Sequence, residues 1–208
     1  MSYDNFSHTF SNSRKNHPWP ELDAIIEDMK ISDSTSILDI GCGNGRFLEE
    51  AQKQDLIPGK YLGIDNSTGM IEEAGSLHPD ANFEVIGMGD LDRIGHQTFD
   101  AILFLASYHH LKTKEERIQV LKESKKLLNP NGRLYMTNWN LRDQERYQKC
   151  HRGHGDFDIK IGEFTRYYHG FTVDELDELF RETGWKTIKN EVFTGGRNLL
   201  SILRRVSS

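Results

Sequence analysis

Between residues 36 and 65 the chain reads strand, glycine turn, helix, strand, acid, and few folds accommodate that order. Ser36-Ile37-Leu38-Asp39-Ile40 has the pattern of a short buried strand, and Phe47, Leu48 and Ala51 set the inner face of a helix. Gly41-Cys42-Gly43-Asn44-Gly45 lies between them. Gly41 and Gly43 let the backbone turn tightly and approach a ligand with no Cβ in the way. A second strand, Tyr61-Leu62-Gly63-Ile64-Asp65, ends in an acid 24 residues after Gly41, where it can accept hydrogen bonds from ribose hydroxyls. A dinucleotide-binding turn would read G-x-G-x-x-G/A, but Arg46 stands at the third small position. The pairing suits an adenosine instead.

The alternation continues. Leu22, Ile25, Ile26 and Met29 predict a helix with one buried stripe after Pro18-Trp19-Pro20. Met70, Ile71 and Ala74 mark a helix leading to a third strand, Phe83-Glu84-Val85-Ile86. The fourth strand, Asp100-Ala101-Ile102-Leu103-Phe104-Leu105, is nearly all apolar, as a central strand covered on both faces should be. Ile118, Leu121 and Leu128 are expected on the next helix, and Asn129-Pro130-Asn131-Gly132 in a turn into strand five, Arg133-Leu134-Tyr135-Met136-Thr137. After a polar stretch, Thr172-Val173-Asp174-Glu175 predicts a capping box on a helix that ends at Gly184. Strands near 185–193 and 198–204 close the sheet. The expected fold is α/β: a doubly wound, mostly parallel, seven-stranded sheet of Rossmann-like type with an antiparallel C-terminal strand.

A chain of 208 residues suits one such domain. Residues 1–20 are expected to form a lid over substrate or cofactor, and residues 140–170 a substrate cap. No apolar run reaches the ~20 residues that span a bilayer. Met1-Ser2-Tyr3-Asp4-Asn5-Phe6 lacks the look of a secretory leader, and Cys42 and Cys150 form no disulfide framework, so the expected location is the cytoplasm. A net charge of −6 excludes a protein that grips nucleic acid over its whole surface. Yet residues 1–20 and 140–170 each carry +1 and together hold five of the nine histidines, which allows a locally basic face on an acidic body.

The turn is G-x-G-x-G preceded by Asp39, and this form resembles motif one of the class I S-adenosylmethionine-dependent methyltransferases. Gly89-Asp90-Leu91 after strand three, Phe99 through Leu103 in strand four, and Leu127-Leu128-Asn129-Pro130-Asn131-Gly132 resemble later motifs of that family in the same order. The resemblance implies S-adenosylmethionine as cofactor. It makes Asp39, Gly41, Cys42, Gly43, Asn44, Asp65, Asn66, Met70, Asp90, Leu91, Leu105 and Ala106 the candidate cofactor residues. Asp39 would support the methionine end and Asp90 would accept from the adenine amino group.

Within that class, three segments are similar to the tRNA wobble-uridine carboxymethyl O-methyltransferases, which also occur fused to AlkB-like domains. They are Phe10-Ser11-Asn12-Ser13-Arg14 with Pro18-Trp19-Pro20, then Tyr108-His109-His110-Leu111, then Arg166-Tyr167-Tyr168-His169-Gly170-Phe171. The resemblance implies a tRNA acceptor and a small zinc-binding partner subunit, and makes Arg14, Trp19, His109, His110, Arg166, Tyr168 and His169 the candidate substrate residues. The chain departs from the family at Asp158-Ile159-Lys160-Ile161, where V-P-W is usual. A small-molecule acceptor therefore stays open, as does a methyltransferase-like binding protein without turnover. A carboxylate acceptor is already an anion, so its methylation calls for a cationic clamp, which Arg166 can supply, and for no strong base. In-line transfer needs alignment and water exclusion, so no catalytic residue is assigned. Cys150-His151-x-x-His154 falls short of a four-ligand zinc set, so no metal is expected.

Overall fold

The computed structural model describes residues 19–162 and 164–206. Residues 1–18 of the expected lid 1–20, with Arg14, lie outside the described residues. Seven strands form the main sheet: β1 (Ser36–Ile40), β2 (Lys60–Asp65), β3 (Asn82–Val85), β4 (Phe99–Leu105), β5 (Leu128–Trp139), β9 (Trp185–Val192) and β10 (Asn198–Arg205). Their order is β3-β2-β1-β4-β5-β10-β9, with β10 antiparallel to both neighbours. The doubly wound expectation therefore holds, and the order reverses between β1 and β4, the switch point where such sheets bind ligands.

One face of the sheet is covered by α1 (Pro20–Met29) and α2 (Arg46–Lys53), whose Leu22, Ile25, Ile26, Phe47, Leu48 and Ala51 pack on Ile37, Leu103 and Leu200. The other is covered by α4 (Lys114–Lys126) and α6 (Val173–Glu182), which follow α3 (Thr68–Leu77) and α5 (Glu145–Gln148) in chain order. No helix among the described residues is long and apolar enough to cross a membrane.

Three local expectations change. Leu128 does not extend α4, which ends at Lys126; it begins β5 opposite Phe99, after which Asn129 to Gly132 bulge out before Arg133 meets Ala101. The capping box sits on α4, where Thr113 and Glu116 bond reciprocally, while Thr172 caps α6 in one direction only. Its Glu175 side chain is drawn away to His169, 2.6 Å from Nε2. Finally, the polar stretch before α6 is an ordered second sheet, β6 (His151–Gly153), β7 (Asp156–Ile161) and β8 (Phe164–His169), in sequential antiparallel order. It has its own small core of Leu141, Phe157, Ile159 and Tyr168. A Cβ on Gly170 would lie 2.5 Å from the Phe157 ring, so this core closes tightly on the backbone that leads into α6.

Candidate active site

A cavity of about 1250 Å³ opens beyond the carboxyl ends of β1, β2 and β4. Its floor is the glycine turn. The N–H groups of Gly41 and Cys42 both bond back to the carbonyl of Ile64, which folds the loop over the end of β2. A Cβ on Gly41, where φ is +75°, would lie 2.5 Å from the Ser107 Cβ; Ser107 crosses from the end of β4 and donates to the Ile40 carbonyl at 2.6 Å. Gly43 differs: its φ is +57° and a Cβ there would meet nothing within 4 Å, so the loop leaves open space on the cavity side.

Asp65 faces that space. Its Oδ2 accepts from the Gly43 N–H at 3.1 Å and its Oδ1 from the Ser67 N–H at 3.0 Å. Burial raises its pKa, and those N–H bonds act against the rise. A carboxylate held this way retains lone pairs for a vicinal diol. With open space over Gly43 and Gly89, an apolar wall from Met70, Ile86 and Leu105, and Asp65 at the floor, the residues present fit an adenosine-bearing sulfonium cofactor.

The candidate residues separate on this frame. Gly41, Cys42, Gly43, Asn44, Asp65, Asn66, Met70, Leu105 and Ala106 line the cavity together with Trp19, His110 and Arg166. Asp39 does not reach it. It is 2% exposed beneath the loop, with Oδ2 accepting from the Tyr61 hydroxyl at 2.8 Å, and burial pushes its carboxyl up to about 7. Its support of any ligand passes through the loop above it. Asp90 and Leu91 also lie off the lining: Leu91 joins the core, and Asp90 is exposed on the 3-10 turn Met88–Ile94, whose first two residues line the cavity in its place. His109, Tyr168 and His169 are buried behind the wall. Tyr168 stacks on Trp139, with ring centroids 4.9 Å apart, and packs at a tilt against His109 and His110.

Arg166 comes from β8 and enters the lobe opposite Asp65, its Nη2 2.8 Å from His110 Nε2. Burial lowers its pKa. Lys112, Glu116, Arg152, Asp158 and Tyr167 also line the cavity, none of them among the candidate residues. Behind it lies a part-buried ionic cluster, of which the sequence reading named only His169. His169 lies between Asp156, 3.0 Å from Nδ1, and Glu175, 2.6 Å from Nε2. Arg117, 5% exposed, donates to the carbonyls of Leu111 and Lys112 and to the Tyr167 hydroxyl, and approaches Glu175 at 3.8 Å. The one available sequence signal was Thr113-Lys114-Glu115-Glu116, which announces α4 but not the partners of Arg117. On the other rim, the Arg46 guanidinium lies over the Trp19 ring at 4.8 Å.

Residues 37–132 match a family described as a methyltransferase domain. The chain is 30% identical over 153 residues to the tRNA (carboxymethyluridine(34)-5-O)-methyltransferase of Saccharomyces cerevisiae, an alignment covering 73% of this chain and 51% of that protein. It thus spans about half the length of that relative. An S-adenosylmethionine-dependent methyltransferase from Clostridium acetobutylicum superposes with a TM-score of 0.74 at 13% identity, covering 99% of each chain. The methyltransferase in a complex with the Haloferax volcanii Trm112 methyltransferase activator superposes with 0.76 at 16% identity, covering 99% and 98%. Glycine turn, sheet order and these likenesses agree: the chain is a class I S-adenosylmethionine-dependent methyltransferase, similar to the tRNA carboxymethyluridine methyltransferases.

Proposed function

We propose that this enzyme methylates a carboxylate carried by the wobble uridine of a tRNA, giving a methyl ester. The observation that carries the reading is Arg166, a half-buried guanidinium that shares one cavity with Asp65 and the glycine turn. A guanidinium matches a carboxylate in a two-bond fork. S-adenosylmethionine supplies an electrophilic methyl group on a sulfonium. With the cofactor bound, an acceptor carboxylate held by Arg166 would take that methyl on its oxygen, the sulfur keeping the electron pair, and no residue would have to move a proton. The residues therefore have two tasks, alignment and exclusion of water. Asp65, Gly43 and Met70 hold the donor side; Arg166, with Lys112 and Arg152 beside it, holds the acceptor. The tRNA acceptor is favoured by what the yeast relative is named for.

On this reading the chain is one catalytic domain acting in the cytoplasm, with residues 140–170 as the acceptor cap and residues 1–20, including Arg14, as a lid. A small activator subunit belongs to the proposal, by analogy with the activator-bound archaeal neighbour. The test is mass spectrometry of tRNA nucleosides from cells lacking the protein. The expected result is loss of a wobble-uridine methyl ester and accumulation of the free acid; unchanged nucleosides would move the acceptor to a small carboxylate.

A further inference from the structure

The two histidines that follow β4 are held in opposite ways. The Trp139 N–H points at His109 Nδ1 at 3.3 Å, so that nitrogen keeps its lone pair and the neutral ring carries its proton on Nε2. His110 reverses this. Its Nδ1 lies 3.0 Å from the Tyr167 carbonyl, which only accepts, so Nδ1 carries a proton and donates. Its Nε2 lies 2.8 Å from Arg166 Nη2, which only donates, so Nε2 keeps a lone pair and accepts. Both bonds form only with the neutral Nδ1–H tautomer. A proton on Nε2 would set two donors and two like charges against each other at 2.8 Å.

We propose that His110 is a positioning residue, which as the neutral Nδ1–H tautomer aims the Arg166 guanidinium into the acceptor lobe and is not a general base. The proposal rests on the acceptor reading above and specifies how that lobe is assembled. An anionic acceptor gives no proton to a base, so the lone pair of His110 is spent on Arg166. Several charged or titratable groups face this imidazole. Arg166 and Tyr168 come from β8, the Tyr168 ring centroid at 4.6 Å, and the His109 ring lies at 4.6 Å on the chain's own side. Lys112 and Glu116 line the same lobe, where Glu116 accepts from the N–H groups of Lys112 and Thr113. Arg117 and Asp156 hold the Tyr167 hydroxyl, and so steady the residue whose carbonyl His110 contacts.

The tautomer is measurable on the full chain with no acceptor present. Long-range proton–nitrogen NMR spectra of the 15N-labelled protein, with His110 assigned by its loss in His110→Gln, should show the Nδ1–H form for His110 and the Nε2–H form for His109. An imidazolium or an Nε2–H ring at His110 near neutral pH overturns the proposal. A kinetic arm uses tRNA from cells lacking the protein. Glutamine sets an oxygen near the Nε2 position, while asparagine sets its amide near Nδ1 and leaves Arg166 unsupported. His110→Gln should hold the acceptor KM within about 3-fold, and His110→Asn should raise it about 10- to 30-fold with little change in kcat, the size of a lost charge-assisted bond. The fall in kcat/KM toward acid pH in the wild type should flatten in His110→Gln, and both variants should bind S-adenosylhomocysteine normally. Collapse of kcat in both variants at unchanged KM would make His110 a base and overturn the proposal. Should the wild type itself leave this tRNA unmethylated, the acceptor reading fails, and the spectra decide the tautomer on their own.

Discussion

The two halves of the cavity are made from different material. On the side of the glycine turn, proposed for the cofactor, the central carboxylate is fixed by main chain: the N–H groups of Gly43 and Ser67 hold Asp65, from 22 and 2 residues away in sequence. On the acceptor side the polar groups are side chains brought together across the chain. His110 and Arg166 are 56 residues apart, and Arg117 and Tyr167 are 50 apart. A site built from backbone tolerates loss of one side chain without losing its shape. A site built from a network of charged side chains loses shape and stability together.

The sharpest break of that comparison is Asp65→Ala. It removes the proposed acceptor for ribose hydroxyls while the loop keeps its bonds from Gly41 and Cys42 to Ile64. Affinity for S-adenosylhomocysteine, measured by titration calorimetry, should fall about 100-fold or more, as expected for two hydrogen bonds to a charged group. The melting temperature should barely change. Unaltered affinity would remove Asp65 from the cofactor site.

His169→Ala should do the reverse. The ring is 4% exposed, and without it Asp156 and Glu175 lose the imidazole that bonds both of them. A loss of about 2 kcal/mol in urea unfolding is expected, below the ~3–5 kcal/mol for breaking a fully buried pair because both carboxylates are partly open to water. Affinity for S-adenosylhomocysteine should stay within about 2-fold, since nothing in this cluster lines the donor side.

The difference between the halves also explains what the sequence could disclose. Strand periodicity and glycine spacing are local, so β1, the turn, β2 and the ligand face of Gly43 and Asp65 were all readable. The place of Asp39 in a motif says nothing about which way it points; the Tyr61 hydroxyl at 2.8 Å reveals a buried support beneath the loop. Asp90 is exposed on a 3-10 turn whose Met88 and Gly89 line the cavity, a placement its motif does not disclose. The second sheet escaped because its alternation is short and because Asp156 and His169 bond each other and Glu175, partners that no local spacing discloses. Arg166 and His110 were recognisable only through resemblance, and Tyr168 and His169, named on the same ground as substrate residues, are buried behind the residues that line the cavity.

Acid should act on the cap before it acts on the glycine turn. Burial works to raise the carboxyls of Glu175 and Asp156, but bonds from His169 and nearby cations outweigh it and leave both below their ordinary 4.5 and 3.8. Groups depressed by folding stabilise the native state above their unfolded values, and that stability is lost as pH falls through their folded values. The wild type should therefore exceed Glu175→Gln in melting temperature at pH 7, with the gap closing below about pH 4.5. A gap that stays constant to pH 3 would deny the cluster its charge. Asp65 gives no such protection, because burial raises it.

The smallest expected effect separates two helix starts. Thr113 caps α4 with the reciprocal bond from Glu116, whereas Thr172 receives only the Glu175 N–H at 3.1 Å because the Glu175 side chain is engaged by His169. Thr113→Ala should cost about 1–1.5 kcal/mol and Thr172→Ala about 0.5–1 kcal/mol in urea unfolding. Their functional consequences should run the other way. Loosening the first turn of α6 moves the carboxylate that fixes His169 and, through β8, Arg166, so Thr172→Ala should raise the acceptor KM about 2-fold with cofactor affinity unchanged. Thr113→Ala, whose helix start lies next to Lys112 and the lobe residue Glu116, tests whether a nearby but separately anchored turn matters as much. A larger rise in acceptor KM for Thr113→Ala than for Thr172→Ala would shift the control of Arg166 from α6 to α4.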